Sequence, residues 1–266
     1  MDRFYKYLRW LSLDIVVGAI FFLAYLERFY QTTLSWNAYF ALASAIWLIY
    51  TADHLLDVRS LPKPTSARHL FHKKHFKLLV LIAGTVLSLG LLNLYFVEIE
   101  IIRNGAILSA ICVSYLLLVY FFRKLWIKEV LVAVVYATGI FIGPWSMLDG
   151  LITSDFLILL QLVGIAFLNL MIFSYYDRAS DKQDGFNSIV LRLRERNAQS
   201  LIYGISLLIV VSTLVMGLGH QIQVLYLMMT MILAIVYLKP NQFAKTALYR
   251  TVGDGIFYLP GLFLLL

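Results

Sequence analysis

Cysteine is almost absent. Cys112 stands alone in 266 residues, which excludes an internal disulfide and any metal site built on several thiolates. Charge is scarce as well: 14% of residues are charged against 61% hydrophobic, with a mean hydropathy of +0.82. That balance excludes a soluble domain of ordinary composition. No low-complexity tract occurs. What fills the chain is a series of long apolar runs, and Cys112 lies inside one of them as a small packing residue.

A helix needs about 20 mainly apolar residues to cross a bilayer. Nine such segments can be placed, at roughly 10–29, 35–57, 76–96, 104–122, 129–148, 155–176, 200–218, 222–238 and 248–266. The expected fold is therefore an all-α membrane protein, a nine-helix transmembrane bundle forming one domain over 1–266. The first run has no small-residue cleavage site and is followed at once by another, so it is expected to be a span of the mature chain. With the N-terminus in the cytoplasm and the C-terminus outside, every Lys and Arg except Arg28 and Arg103 falls on the cytoplasmic side, as the positive-inside rule requires. The net charge of +7 then reflects topology and contact with anionic lipid headgroups, with no call for nucleic acid. The expected location is a cell membrane, crossed several times.

The two longest connections, about 58–75 and 177–199, each begin beside an acidic stretch. The first is Asp53-His54-Leu55-Leu56-Asp57; the second is Asp177-Arg178-Ala179-Ser180-Asp181-Lys182-Gln183-Asp184-Gly185. Both place carboxylates four residues apart, on one face of a continuing helix. Topology accounts for basic loops but does not ask for acids at these helix ends, and such acids are costly unless a cation needs them. Paired carboxylates offer hard oxygen ligands suited to Mg²⁺, which bridges readily to phosphate. Nearby cations such as Arg68, Lys124 and Lys128 suit phosphate oxygens.

The segment Asp177-x-x-x-Asp181-x-x-x-Gly185, following an apolar helix and running into Phe186-Asn187-Ser188-Ile189, resembles the second aspartate-rich motif of the UbiA superfamily of intramembrane prenyltransferases. The first stretch resembles that family's Asn-Asp-x-x-Asp-x-x-x-Asp motif over its last two aspartates. The nine-helix layout, with motifs after spans two and six, extends the resemblance over nearly the whole chain. It implies an enzyme that moves a prenyl group from a polyprenyl diphosphate to an aromatic or lipid-like acceptor at the cytoplasmic membrane face, with Mg²⁺ as cofactor. By position it implies Asp53, Asp57, Asp177 and Asp181 as catalytic and metal-binding residues, with Asp184 as a further metal ligand. Arg68, Lys124, Lys128 and Tyr176 would meet the substrate. The chain departs from the pattern where Ile49-Tyr50 replaces Asn-Asp and where Arg68–His75 replaces a Pro- and Gly-rich segment. A non-enzymatic protein that binds or transports an isoprenoid or lipid diphosphate is the alternative.

Other features admit more than one role. His54, His69, His72 and His75 suit either a transition-metal site with Asp53 and Asp57 or a phosphate- or headgroup-facing surface. Asp254 lies one turn after Arg250, a natural partner, whereas Asp14 has none nearby in sequence. Tyr50, Tyr115, Tyr136, Tyr175 and Tyr176 offer ring faces to a cation, or fill the bundle and its interfaces. Gly253 and its neighbours permit close helix packing.

Overall fold

The structure, a computed structural model, describes residues 3–60, 66–121, 128–185 and 188–265; among these there are helices and turns and no strand. The chain runs through α1 (Arg3–Trp10), α2 (Leu13–Phe29), α3 (Trp36–Ser60), α4 (Ala67–Lys74), α5 (Phe76–Asn93), α6 (Ile99–Phe121), α7 (Lys128–Ser146) and α8 (Thr153–Tyr176). It continues through α9 (Arg178–Asp184), α10 (Ile189–Arg192), α11 (Glu195–Met216), α12 (Gln221–Leu238), α13 (Pro240–Phe243), α14 (Leu248–Gly255) and α15 (Leu259–Phe263). Seven of the described helices, α3, α5, α6, α7, α8, α11 and α12, are long and apolar enough to cross a membrane. They coincide with seven of the nine predicted spans. The first predicted span is the 17-residue α2, and the last is broken by a 3-10 segment at Ile256–Tyr258 between α14 and α15.

Helix α8 forms the centre, with Leu162, Ile165, Leu168, Met171 and Ile172 fully buried. It packs on α7, α11, α12 and α14. The bundle periphery is different: α5 and α6 turn Leu81, Leu92, Ile107 and Val113 outward, the pattern of side chains that face lipid. Inside, some polar side chains pair across helices. Gln161 and Gln223 exchange amide hydrogen bonds of 3.0 Å each way between α8 and α12, and each such interhelical bond in a membrane protein is worth roughly 0.6–2 kcal/mol.

Two close approaches set where the loops meet. A Cβ on Gly253 would lie 2.3 Å from Asn169 Oδ1 and 2.6 Å from the Phe173 ring, so α14 lies against α8 only because no side chain intervenes. At the same end, Tyr7 and Trp10 of α1 pack their rings on Phe71 of α4 at 5.8 and 5.4 Å. Ser66 caps α4 by accepting the His69 N–H at 3.2 Å, as expected of a serine at that position.

Candidate active site

Asp53 and Asp57 lie one turn apart in α3, on the face that meets the start of α7. There the Lys128 ammonium sits 2.8 Å from Asp53 Oδ1 and 3.6 Å from Asp57 Oδ2. The Tyr115 hydroxyl of α6 donates to the same Asp53 oxygen at 3.4 Å. The ligand atoms of Asp53, His54 and Asp57 all lie within 4.8 Å of one another, a grouping able to hold a cation. His54 also faces the α1–α2 turn and α4: its Nε2 is 3.3 Å from Ser12 Oγ, and its ring is 4.9 Å from that of His72. His72 Nδ1 in turn lies 3.0 Å from the Arg68 carbonyl, and burial lowers its pKa.

The second stretch is built on a helix break. Asp177 ends α8 with φ −85° and ψ 0°, in the sparsely populated bridge region where active-site residues often sit. Its carbonyl accepts from the Asp181 N–H and from Ser180 Oγ, both at 2.9 Å. Its carboxylate accepts from the Tyr249 hydroxyl on Oδ1 and forms an ion pair with Arg250 on Oδ2. Tyr249 is stacked on Tyr176 with ring centroids 4.3 Å apart, and Arg250 lies 5.2 Å from the Phe173 ring centroid. Asp181 makes no ion pair among the described residues. Burial first, and the Asp177 carboxylate second, push Asp181 up to about 7. Gly185, at φ 76°, closes α9 in the left-handed conformation that favours glycine.

Arg68 joins the halves. The residue is half-buried, and its guanidinium feels Asp177, Asp57 and Asp53 as well as Arg250. Burial lowers its pKa most, followed by Arg250, with the three carboxylates opposing. The two acidic stretches, far apart in sequence, are therefore both within electrostatic reach of one guanidinium. Of the other residues expected there, Tyr176 commits its hydroxyl to the Val236 carbonyl at 2.7 Å and its ring to Tyr249. Lys124 and the Asp184 side chain lie outside what the structure describes.

Arg250 corrects one expectation. It reaches across to Asp177 on α8 instead of pairing with Asp254 in its own helix; Asp254 accepts from Asn169 Nδ2 at 3.5 Å. Two contributors were not anticipated. Tyr249 donates its hydroxyl to Asp177 Oδ1. Glu129, buried, accepts from Ser174 Oγ and from the Ile189 N–H, both at 3.2 Å, and so fixes the start of α7 against α8 and α10. The available sequence signal was slight: an acid at the head of an apolar run, and a Tyr-Arg pair one turn before Gly253.

Below the charged groups lies an apolar cavity of about 440 Å³ between α3, α5, α6 and α7. Ile49, Tyr50, Tyr115 and Tyr136 line one end, and Ala38, Ile101 and Gly143 the other. Tyr115 thus both lines the cavity and touches Asp53. From Ile101 to Tyr115 along α6 the cavity runs roughly 20 Å at 1.5 Å per residue. Leu91, Ala106 and Ser109 line it while being exposed themselves, so it opens sideways between α5 and α6.

The model of the UbiA prenyltransferase family matches residues 62–247, well over half of the chain. The protein belongs to the UbiA prenyltransferase family. It is accordingly a multi-pass membrane protein. Its fold is similar to that of a UbiA homologue from Aeropyrum pernix in the apo state (TM-score 0.66, 13% identity, covering 96% of this chain and 99% of that one). A UbiA homologue from Archaeoglobus fulgidus bound to GPP and Mg²⁺ is similar as well (TM-score 0.63, 17% identity, 95% and 99% covered). So is a digeranylgeranylglyceryl phosphate synthase (TM-score 0.59, 14% identity, 98% and 97% covered). No curated protein sequence matches this chain.

Proposed function

We propose that this UbiA family member transfers a prenyl group from a polyprenyl diphosphate to a lipophilic acceptor, with Mg²⁺ as cofactor. One observation carries the reading: a cluster of charged side chains adjoins the end of a long apolar cavity, with Tyr115 lining the cavity and donating to Asp53. A ligand matching both must carry an anionic head on an extended hydrocarbon, and the A. fulgidus homologue is bound to GPP and Mg²⁺. Asp53, Asp57, Asp177 and Asp181 offer the hard oxygen donors that Mg²⁺ prefers, so the residues fit the ion. When bound, it supplies Lewis-acid neutralisation of the leaving diphosphate.

The chain's own groups account for the rest. Arg68 and Lys128 face the diphosphate oxygens and stabilise their growing charge as the carbon–oxygen bond breaks and its electron pair leaves with the diphosphate. The ring faces of Tyr50, Tyr115 and Tyr136 sit where the allylic cation develops and stabilise it through their quadrupoles. The acceptor then bonds to the allylic carbon, and its displaced proton goes to the departing diphosphate. An extended chain advances ~1.1–1.2 Å per bond, about 4.5–5 Å per isoprene unit, so a cavity of roughly 20 Å holds about four units. The distribution of Lys and Arg supports placing this face in the cytoplasm.

The test is Mg²⁺-dependent release of diphosphate from prenyl diphosphates of graded length by wild type, Asp53→Ala and Asp177→Ala. Turnover that both variants lose supports the reading. Tight binding without turnover in the wild type favours the non-enzymatic carrier instead. The clustering of the Asp53–Asp57 and Asp177–Asp181 acids at one end of the bundle speaks against a carrier, which would place polar pairs through the membrane depth.

A further inference from the structure

We propose that Lys128 takes the place of one divalent ion at the Asp53–Asp57 half of the site, so that the chain works with a single Mg²⁺ on the Asp177–Asp181 half. The proposal rests on the prenyl diphosphate reading above. Its basis is where the ammonium lies. At 2.8 Å from Asp53 and 3.6 Å from Asp57, it occupies the position from which a cation touches both carboxylates. It does so for two of the three members of the one His/Asp ligand cluster found among the described residues.

The lysine is fixed there. It opens α7, and the following residue, Glu129, is buried and tied to Ser174 and to the Ile189 backbone, so the stem starts from an anchored point. Its side chain is 28% exposed, and those of Asp53 and Asp57 are 15% and 16% exposed. Such an ammonium exchanges less readily than one on a solvated surface, since removing it leaves two carboxylates poorly hydrated. Helix α3 offers no further acid to build a fuller metal site: one turn before Asp53, Ile49 and Tyr50 are spent on the cavity wall.

The other half is arranged differently. Asp177 is held by Arg250 and Tyr249, while Asp181 has no ion-pair partner among the described residues. Mg²⁺ commonly uses one or two carboxylates and completes its octahedron with water and substrate phosphate, so the available Asp181 oxygens are where an ion is needed. Lys128 offsets charge on the Asp53–Asp57 half as Arg250 does at Asp177, and Arg68 adds a positive charge between them.

The deciding measurement counts ions directly. Purified full-length protein in detergent is titrated with Mn²⁺, read by the EPR signal of the free ion, in the presence of a non-reacting prenyl thiodiphosphate. Wild type is expected to hold one Mn²⁺ per chain, and Lys128→Ala two, because the freed carboxylates now accept an ion. Lys128→Arg keeps a cation there and stays at one. Adding Asp53→Asn to Lys128→Ala returns the count to one and shows where the second ion sat. Two ions in the wild type, or an unchanged count in Lys128→Ala, overturn the lysine's role while leaving the prenyl diphosphate reading intact. Failure of the wild type to bind the thiodiphosphate overturns both. Should Lys128→Ala not fold, Lys128→Gln, which keeps the stem, gives the same count.

Discussion

Asp53 and Asp57 lie within the unbroken helix α3, whereas Asp177 and Asp181 straddle the break between α8 and α9. The spacing is the same and the consequences are opposite. A continuous helix points both carboxylates the same way, so one ammonium satisfies both. Across the break the partners differ: Asp177 is held by α14 through Tyr249 and Arg250, and Asp181 makes no ion pair among the described residues. Two copies of one sequence pattern thus become a closed half and an open half. Backbone conformation, more than ligand identity, decides which one awaits a cation from solution.

The largest expected effect separates these halves. Asp181→Ala removes the open ligand and should lower kcat/KM by ~10³-fold, at the upper end for loss of one charge-stabilising group. Asp57→Asn leaves the amide beside Lys128 and should cost only ~10–100-fold, as for groups that position others. Equal losses in a diphosphate-release assay would break the contrast. Next comes Gly253→Ala. The added methyl meets Asn169 and Phe173, pushes α14 away from α8 and withdraws Tyr249 and Arg250 from Asp177. A loss of about 1–3 kcal/mol, as for overpacking, should appear in thermal unfolding in detergent, together with weaker diphosphate binding.

Gly105→Leu probes the cavity and leaves both halves intact. A Cβ at Gly105 meets nothing within 4 Å, so the leucine enters open space roughly 15 Å from Tyr115 along α6. Substrates of about four isoprene units should lose ~10–200-fold in kcat/KM relative to shorter ones, with stability unchanged. The smallest effect concerns the cap over the closed half. Burial holds His72 below its ordinary value of 6.5, so below that pH the folded chain binds fewer protons there than the unfolded chain. Stability therefore falls on acidification through and below about 6.5. Unfolding followed from about pH 7.5 to about pH 5.5 should show this fall, and His72→Gln should flatten it.

Much of this was legible in the sequence because the two signals involved are local. Apolar length marks a helix in lipid, and carboxylates stand out where charge is rare, so the seven long spans and both aspartate stretches can be read directly. Partners are another matter. Arg250 sits one turn from Asp254 yet pairs with Asp177, 73 residues away, because Gly253 lets α14 come close to α8. That choice depends on a helix crossing, and periodicity specifies the face of a helix but not what it meets. For the same reason the sequence marks Lys128 as a substrate-facing cation but does not show that it bridges Asp53 and Asp57. The last predicted span hides its 3-10 break because Ile256, Phe257 and Tyr258 are as apolar as their surroundings.

The sideways opening at Leu91, Ala106 and Ser109 has a thermodynamic consequence. A prenyl tail that slides from the bilayer into the cavity exchanges one hydrocarbon environment for another, so the hydrophobic effect contributes little to holding it. Retention must then come almost wholly from the charged head. On the proposed function, once the diphosphate has departed the prenyl tail is no longer tied by its head and can return to the membrane by diffusion, without a dedicated step of expulsion.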